Sequence, residues 1–273
     1  MKKIKKLLLP LTLIATPILA VSCGAKNTQA QDLLSNSNLI KINNENRTFT
    51  LDLSTTTLKK IDKSAFYNLA ARQYFQTANL TDNKENKDKS QTPTSTITTI
   101  YYLDSIIFPS TLEEIEDRAF EVDVNVLGSQ PGQKIVNLDF SRSTNLKSIG
   151  DFAFANNSIR KLILPNSITK IGKNAFANNE IETLEFSEDS KLSFIDTGAF
   201  FNNKITKLDF TNARQIRAIN TGAFESNKIS AIQFGKDSSP ILINNSAFKD
   251  NEIKNRDNIK DINPDSRLED IFE

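Results

Sequence analysis

The chain has 273 residues, and its 34 Lys and Arg residues nearly balance 33 Asp and Glu residues, so it lacks the basic surplus of a typical nucleic-acid-binding protein. It contains no His, which removes the commonest general base and every catalytic triad built on an imidazole. With one Cys, no intramolecular disulfide can form. We therefore expect a binding or structural protein without a cofactor or a bound metal, rather than an enzyme.

The first 22 residues have the features of a secretion signal. Four lysines lie within the first six residues, and the apolar run over residues 7–19 is too short and too interrupted by Pro to span a membrane. Small residues then precede Cys23. Without those four lysines the count is 30 basic against 33 acidic residues, a net charge of −3. We predict that residues 1–22 are a signal peptide.

The stretch Ala20-Val21-Ser22-Cys23 resembles the lipobox of bacterial lipoproteins, in the relaxed form found in wall-less bacteria. The resemblance implies that the Cys23 sulfur carries a diacylglycerol with palmitate-type chains and that Cys23 becomes the first mature residue. Two acyl chains hold a protein stably on a bilayer, here on the outer face of the cell membrane. The alternative is an ordinary thiol after a conventional signal peptide.

The rest of the chain divides into a tether, a repeat domain and a C-terminal segment. Residues 23–38 are polar and predict a flexible tether. A repeat domain is predicted over residues 39–253, and it begins with a hairpin made by residues 39–42 and 48–53. Residues 254–273 predict a C-terminal cap, because exposed final coils would offer an unpaired edge. The apolar residues available to this cap are Ile259, Ile262, Leu268, Ile271 and Phe272.

The dipeptide Ala-Phe occurs seven times, with its Phe at positions 66, 120, 154, 176, 200, 224 and 248. From Phe154 onward the spacing is 22, 24, 24 and 24 residues, and such a period is typical of a solenoid. In each repeat a triplet such as Leu162/Leu164 alternates with period two and predicts a short parallel strand. The segment Ile-x-x-x-Ala-Phe predicts a helical turn that closes the coil, with the Phe filling the interior between coils.

An Asn follows each of the last five Phe residues by three positions: Asn157, Asn179, Asn203, Asn227 and Asn251. At a coil corner, an Asn amide can satisfy backbone groups of its own coil and of the neighbouring coil. Leaving such groups unpaired would cost about 1–3 kcal/mol each. We predict a buried Asn ladder; the alternative is a row of exposed glycan or metal ligands.

The repeats resemble the BspA-like leucine-rich repeats of bacterial surface proteins. The stretch from Ser167 to Phe176 (Ser-Ile-Thr-Lys-Ile-Gly-Lys-Asn-Ala-Phe) is similar to the core motif of that family, and Leu162-Ile163-Leu164-Pro165 resembles its strand. The resemblance implies an α/β solenoid of about seven coils, each of 22–24 residues, on the cell surface. It also implies adhesion to a host matrix or immune recognition in some members. The family usually has Cys where this chain has the recurring Asn.

The residues that point outward from the predicted strands form a possible binding face: Asp139, Ile163, Glu185, Asp209 and Gln233. Stacked at strand spacing, they give a weakly acidic stripe, in which Lys161 and Lys207 could compensate adjacent carboxylates. One interpretation is an ordinary solvated sheet surface, and the other is a docking face for a basic partner.

Two insertions interrupt the repeats, each after an Ala-Phe dipeptide and before the next strand. The first includes the polar run over residues 81–99, and the second spans residues 121–133. Because they leave adjacent coils at equivalent positions, both should emerge on one edge of the solenoid. There they serve either recognition or no selective role, as disordered loops.

Together these features predict a membrane-anchored surface lipoprotein that binds an extracellular protein, for host adhesion or immune interaction. We expect no nucleic-acid partner and no small-molecule substrate. A structural or antigenic coat protein without a selective ligand is the alternative, and an extracellular hydrolase that uses carboxylates is a remote one.

Overall fold

The computed structural model describes residues 28–67, 73–80, 95–123, 134–253 and 255–269. Several predictions lie outside these ranges: the signal peptide, the lipidation of Cys23, residues 23–27 of the tether, residues 81–94 of the first insertion and residues 124–133 of the second insertion. Ile271 and Phe272 lie outside them as well.

The described residues form mainly short strands. Helical structure there consists of α1 (Thr28–Ser35) and two 3-10 helices (Ser37–Leu39 and Arg256–Asn258). The strands, numbered in chain order, are β1 (Ile40–Asn43), β2 (Thr48–Asp52), β3 (Lys60–Ile61), β4 (Gln73–Leu80), β5 (Ser95–Ile107), β6 (Glu114–Ile115), β7 (Asn137–Asp139), β8 (Ser148–Ile149), β9 (Lys161–Leu164), β10 (Lys170–Ile171), β11 (Thr183–Phe186), β12 (Phe194–Ile195), β13 (Lys207–Phe210), β14 (Ala218–Ile219), β15 (Ala231–Phe234), β16 (Leu242–Ile243), β17 (Ile259–Lys260) and β18 (Arg267–Leu268).

The strands predicted from the Leu-x-Leu triplets form one side of the solenoid. β2, β5 and β7 pair in parallel, β9 pairs with β11, and β13, β15 and β17 form a third parallel group. Burial alternates along β9, where Leu162 and Leu164 are buried while Lys161 and Ile163 are exposed. The predicted strands and their inward residues are confirmed. We call the outward side of these strands the strand face, defined by Asp52, Ile107, Asp139, Ile163, Glu185, Asp209 and Gln233.

A second parallel sheet runs along the solenoid in the order β3-β6-β8-β10-β12-β14-β16-β18, with two residues in each strand. It begins the Ile-x-x-x-Ala-Phe segments, which then continue as turns, so the predicted helical turn is wrong. In one such turn Asn174 has φ 52°, and the Phe176 N–H donates to Ala199 O of the next coil at 2.8 Å. Because a left-handed residue interrupts the segment and the Phe amide bonds across coils, helical bonding cannot propagate.

The seven Phe residues of the Ala-Phe dipeptides form a continuous stack inside the solenoid. Neighbouring ring centroids are separated by 4.9, 5.1, 5.3, 5.4, 5.1 and 5.5 Å along the chain, and their planes differ by 10° or less. Each ring is almost completely buried. The predicted interior position of the Phe is confirmed, and the stack sets the spacing between coils.

The recurring Asn residues form the predicted ladder. Asn203 donates through Nδ2 to Phe200 O of its own coil at 3.1 Å and to Phe176 O of the preceding coil at 2.9 Å. Its Oδ1 accepts the Ile181 N–H at 3.0 Å. Equivalent bonds exist at Asn157, Asn179, Asn227 and Asn251. All but the last of these residues are buried, so the Asn serves the backbone and not a ligand.

The N-terminal end of the solenoid is covered by α1 and by the predicted hairpin. β1 and β2 pair antiparallel, which confirms the hairpin. The predicted tether is wrong for residues 28–35, because α1 buries Ala30 and Leu34 against the core. The Gln29 amide donates to Lys60 O at 3.0 Å and accepts the Asp62 N–H at 2.9 Å. It therefore satisfies backbone groups at the edge of the second sheet.

The C-terminal segment continues both sheets by one strand each. β17 pairs with β15, and β18 pairs with β16. Ile259 is buried, and Ile262 and Leu268 pack partly buried against the core. The predicted apolar contacts of these three residues are confirmed, but they come from a further coil and not from a lid folded over the end.

The first insertion extends β5 as an antiparallel hairpin with β4, in the register Gln73↔Tyr102 to Leu80↔Ser95. Residues 95–99 of the run predicted to be a loop therefore belong to a strand. The Tyr67 hydroxyl donates to Asp123 Oδ2 at 3.1 Å, and these two residues directly precede the two insertions' undescribed segments. This bond supports the prediction that both insertions leave from one edge. Within the described ranges, no helix is long and apolar enough to cross a membrane.

The Asn ladder gives a direct stability prediction. Asn203→Ala should lower the free energy of unfolding by about 1–3 kcal/mol. The buried Ile181 N–H loses its acceptor, and the Phe176 and Phe200 carbonyls each lose one of two Asn donors. The measurement is urea unfolding followed by circular dichroism. The matched control is Asn202→Ser, at the exposed position next to Asn203. The equivalent residue of the next coil is Ser226, and the two residues have similar φ values of 53° and 58°. Equal effects of the two substitutions would contradict the buried-ladder assignment.

Candidate functional site

The strand face carries all five residues of the predicted binding face. Asp139 is on β7, Ile163 and Glu185 are paired across β9 and β11, and Asp209 and Gln233 are paired across β13 and β15. β7 neighbours β9, and β11 neighbours β13, without a hydrogen-bonded ladder between them. The structure therefore brings the five residues onto one surface but divides that surface into three paired groups.

The first of these interruptions contains a cavity of about 440 Å³ between β7 and β9. Asp139, Thr144, Lys161, Ile163 and Ser187 are among the residues that line it. Its wall also includes the buried side chains of Phe140 and Pro165, so apolar surface lies beneath a partly polar rim. A concave, largely apolar surface with a few polar groups is the usual form of a binding site.

Ile163 is 45% exposed beside this cavity, although most large apolar side chains in the described ranges are buried. In the following coils the equivalent outward positions hold Glu185, Asp209 and Gln233. The repeat therefore does not require an apolar residue here. Single exposed apolar side chains are common on protein surfaces, and Phe194 is equally exposed at 45%. Ile163 differs from Phe194 because it lines the cavity.

Lysines neutralise part of the acidic stripe. Lys161 Nζ lies 3.0 Å from Glu185 Oε1, as the sequence suggested, and Lys41 pairs with Asp52. Lys207 makes no ion pair within the described part of the chain. Two carboxylates on the face also lack an ion pair there: Asp139 accepts the Ser141 N–H at 2.8 Å, and Asp209 accepts the Thr211 N–H at 2.9 Å.

Gln233 is on the strand face, but its side-chain amide is already hydrogen-bonded and is less available to a partner protein. Its Nε2 donates to Asp261 Oδ2 at 2.8 Å and to Phe234 O at 2.6 Å, so it contacts the C-terminal coil. Asp139 and Ile163 are the two predicted residues that border the cavity. Sequence reasoning missed the cavity itself, since Thr144 and Ser187 lie outside the strand pattern. The available signal was the apolar residue at position 163, which is followed by acidic and amide residues in the later coils and shares its apolar character with Ile107.

Asp52 is the residue of the strand face whose pKa is shifted by its surroundings. Burial opposes ionisation, but hydrogen bonds from Lys41 and Ser54 outweigh it and lower the Asp52 pKa from 3.8 to about 2. Its side chain is only 15% exposed. No three His, Cys, Asp or Glu side chains in the described ranges are grouped so as to hold a metal ion. The arrangement is therefore one of local ion pairs around an apolar cavity.

Two parallel sheets, joined by tight corners around an aliphatic and Phe interior, define a leucine-rich-repeat solenoid. The family described as the BspA type leucine rich repeat region matches this chain in six copies, over residues 44–126 and 132–265. These residues are more than half of the chain, so the protein belongs to the BspA-type leucine-rich-repeat family. Leucine-rich-repeat proteins commonly bind protein partners on such extended surfaces.

Among solved structures, the crystal structure of the pneumococcal vaccine antigen PcpA is similar, with a TM-score of 0.46 and 20% sequence identity. The match covers 66% of this chain and 36% of that chain, so this protein spans about one third of the length of that neighbour. The search of curated proteins gives no match.

The Asp52 environment predicts a pH-dependent stability. Because the folded-state pKa lies below the unfolded value of 3.8, the ionised carboxylate stabilises the fold above about pH 4, and this contribution is lost as the pH falls towards 2. Asp52→Asn should cost about 1–2 kcal/mol at neutral pH and much less near pH 2. Urea unfolding across this pH range measures the difference.

The matched control is Asp209→Asn, which alters an exposed carboxylate at the equivalent strand position without a lysine partner. It should change stability by less than about 0.5 kcal/mol. A deficit of Asp52→Asn that stayed constant from neutral to acidic pH would contradict the assignment of the ion pair.

Proposed function

We propose that this protein is a membrane-anchored surface lipoprotein that binds another protein through the strand face, with the cavity between β7 and β9 at the centre of the contact. The observation that carries the proposal is the 45% exposure of Ile163 at the edge of a cavity of about 440 Å³. The interior of the solenoid does not require this exposure, because other coils place polar residues at the same position.

The chemistry of the cavity defines the kind of partner. An apolar side chain of the partner would fill the cavity and cover Ile163, which removes apolar surface from water. A Lys or Arg beside that side chain would pair with Asp139, whose carboxylate makes no ion pair within the described residues. We therefore propose a partner surface with an apolar anchor and an adjacent cation, presented by an extracellular protein of a host.

The anchoring part of the proposal rests on the sequence around Cys23. Four residues lie between Cys23 and Thr28, the first residue of α1, so the two are five residue steps apart. A chain of five residues reaches at most about 18 Å. Lipidation of Cys23 would therefore hold the N-terminal end of the solenoid close to the outer face of the membrane. Adhesion and immune interaction are both compatible with this placement, and a coat protein without a ligand would share the anchor but not the selective contact.

Lipidation is testable independently of binding. Expressed in a bacterium that matures lipoproteins, the wild-type chain should incorporate labelled palmitate and partition into the detergent phase of a Triton X-114 extract. Cys23→Ser should abolish both, because no other thiol exists in the chain. Unchanged partitioning of Cys23→Ser would refute the anchor. Ser22→Ala, which retains the thiol and a small residue before it, is the control.

The binding proposal is tested by titrating purified extracellular-matrix proteins against the immobilised wild-type protein and Ile163→Gln. The substitution copies Gln233, the equivalent residue of a later coil, so it should preserve the fold. We expect saturable binding by the wild type and at least tenfold weaker binding by Ile163→Gln, equivalent to about 1.4 kcal/mol. The matched control, Gln233→Ala, should leave the affinity within about twofold.

Two outcomes would redirect the proposal. If Ile163→Gln binds normally but deletion of residues 81–94 abolishes binding, the first insertion and not the strand face is the recognition element. The deletion must stop at residue 94, because β5 begins at Ser95. If no protein of the panel binds saturably, the coat-protein alternative is favoured.

A further inference from the structure

A second concave surface lies on the turns beside the Phe stack, away from the strand face. Its volume is about 440 Å³, and it extends over the coils between Glu121 and Glu225. We call it the turn groove. The turn groove exists because two adjacent coils carry small residues directly after the stacked Phe, namely Ala155 and Ala177. The next coil has Phe201 at that position, so the depression ends in an aromatic side chain.

Two aromatic side chains line the turn groove without being part of the buried stack. Phe152 and Phe201 are both only partly buried, whereas the stacked Phe154 and Phe200 are not accessible. Gly198 and Gly222 also line the groove and have φ values of 64° and 62°. A side chain at Gly198 would clash with Asn174, and the lack of one keeps this part of the groove open.

A row of side-chain amides begins in the groove, which Asn156 and Asn178 line, and continues by one coil to Asn202 outside the lining. Asn178 Nδ2 donates to Asn156 Oδ1 at 2.9 Å, and Asn202 Nδ2 donates to Asn178 Oδ1 at 2.9 Å. Asn178 and Asn202 are exposed, and each primary amide has a second N–H beyond the one used in the row. Unlike the buried Asn ladder, this row makes one bond to a backbone group among the described residues, from Asn156 Nδ2 to Val122 O.

A buried carboxylate lines the turn groove as well. Glu121 is 8% exposed, and its Oε2 lies 2.9 Å from Arg118 Nη1. Its Oε1 makes no hydrogen bond in the described part of the chain, so one acceptor remains at the groove. Burial raises the Glu121 pKa, with Arg118 acting in the opposite direction. Glu225 also lines the groove. The cation beside the groove, Arg118, is already paired with Glu121 and lies over the Phe152 ring, so the two lining carboxylates disfavour anionic ligands.

We propose that the turn groove binds a neutral oligosaccharide. The C–H faces of sugar rings pack on partly exposed aromatic side chains such as Phe201, and hydroxyl groups both donate to carboxylates and pair with amides. The Phe152 ring offers only the side that Arg118 leaves uncovered, since that guanidinium lies over the ring, 4.9 Å from its centroid. The amides recur at the coil spacing, which the Phe rings set at 5.1–5.4 Å in this region. This spacing is close to the length of one pyranose unit, so successive sugars would meet equivalent groups in successive coils.

The experiment titrates the purified full chain with three neutral trisaccharides, maltotriose, cellotriose and N,N′,N″-triacetylchitotriose, and with the anionic 3′-sialyllactose. Saturation-transfer difference NMR and calorimetry detect binding. We expect at least one neutral trisaccharide to bind saturably with a dissociation constant of about 1 mM or lower, and 3′-sialyllactose not to bind. Failure of all three neutral trisaccharides to bind would overturn the proposal.

Substitutions that copy the equivalent residues of neighbouring coils test whether the sugar binds in the turn groove. Ala177→Phe copies Phe201 at the equivalent position and fills the groove, and it should weaken binding at least tenfold. Asn178→Ser copies Ser226 and removes one amide, and it should weaken binding about two- to tenfold. Lys249→Ala alters the same repeat position as Ala177 but outside the groove, and it should have no effect. Thermal melting checks that each variant folds.

Unchanged sugar affinity in a folded Ala177→Phe variant would overturn the location. Ile163→Gln should leave sugar binding intact, and Ala177→Phe should leave any binding of matrix proteins intact. The two surfaces are thus separable, and failure of one proposal does not imply failure of the other.

Discussion

The structure depends on how the backbone at each coil corner is satisfied. One coil cannot pair the carbonyl of its stacked Phe with its own N–H groups, so the corner uses an Asn amide that binds its own coil and the preceding coil together. The bond geometry fixes the register of adjacent coils. That register stacks the Phe rings at nearly constant spacing and aligns the strands, so each surface residue occupies a defined position relative to the next coil.

Because the interior is satisfied in the same way in the five coils that carry the Asn ladder, positions outside it are free to differ. The position of Ile163 holds Glu185 in the next coil, and the position of Ala177 holds Phe201. Neither difference disturbs the Phe stack or the Asn ladder. Both the cavity of the strand face and the turn groove arise where such a position departs from its neighbours. The exceptions to the repeat are therefore the positions on which both proposed binding surfaces rest.

Sequence reasoning succeeded where the period was visible. The inward strand residues, the Phe stack and the Asn ladder recur at fixed intervals, so each could be assigned from several copies. The second sheet was missed because its strands have two residues, too few for a period, and because left-handed turn residues differ in type, as Asn174 and Gly198 do. Helix α1 is polar apart from a few residues, and packing of Ala30 and Leu34 stabilises it rather than its own propensity. The cavity forms because β7 and β9 are not joined by backbone hydrogen bonds, and no pattern within one repeat predicts that interruption.

The charged side chains near the cavity of the strand face contribute little to the stability of the fold. The pair between Lys161 and Glu185 is exposed on both sides, and such pairs contribute little to stability. Its main effect is to remove net charge from that part of the face. Asp139 remains uncompensated beside an exposed apolar residue and a cavity, and neither the Asn ladder nor the Phe stack needs this arrangement. An apolar group and a carboxylate left together in this way are complementary to a partner that supplies both an apolar side chain and a cation.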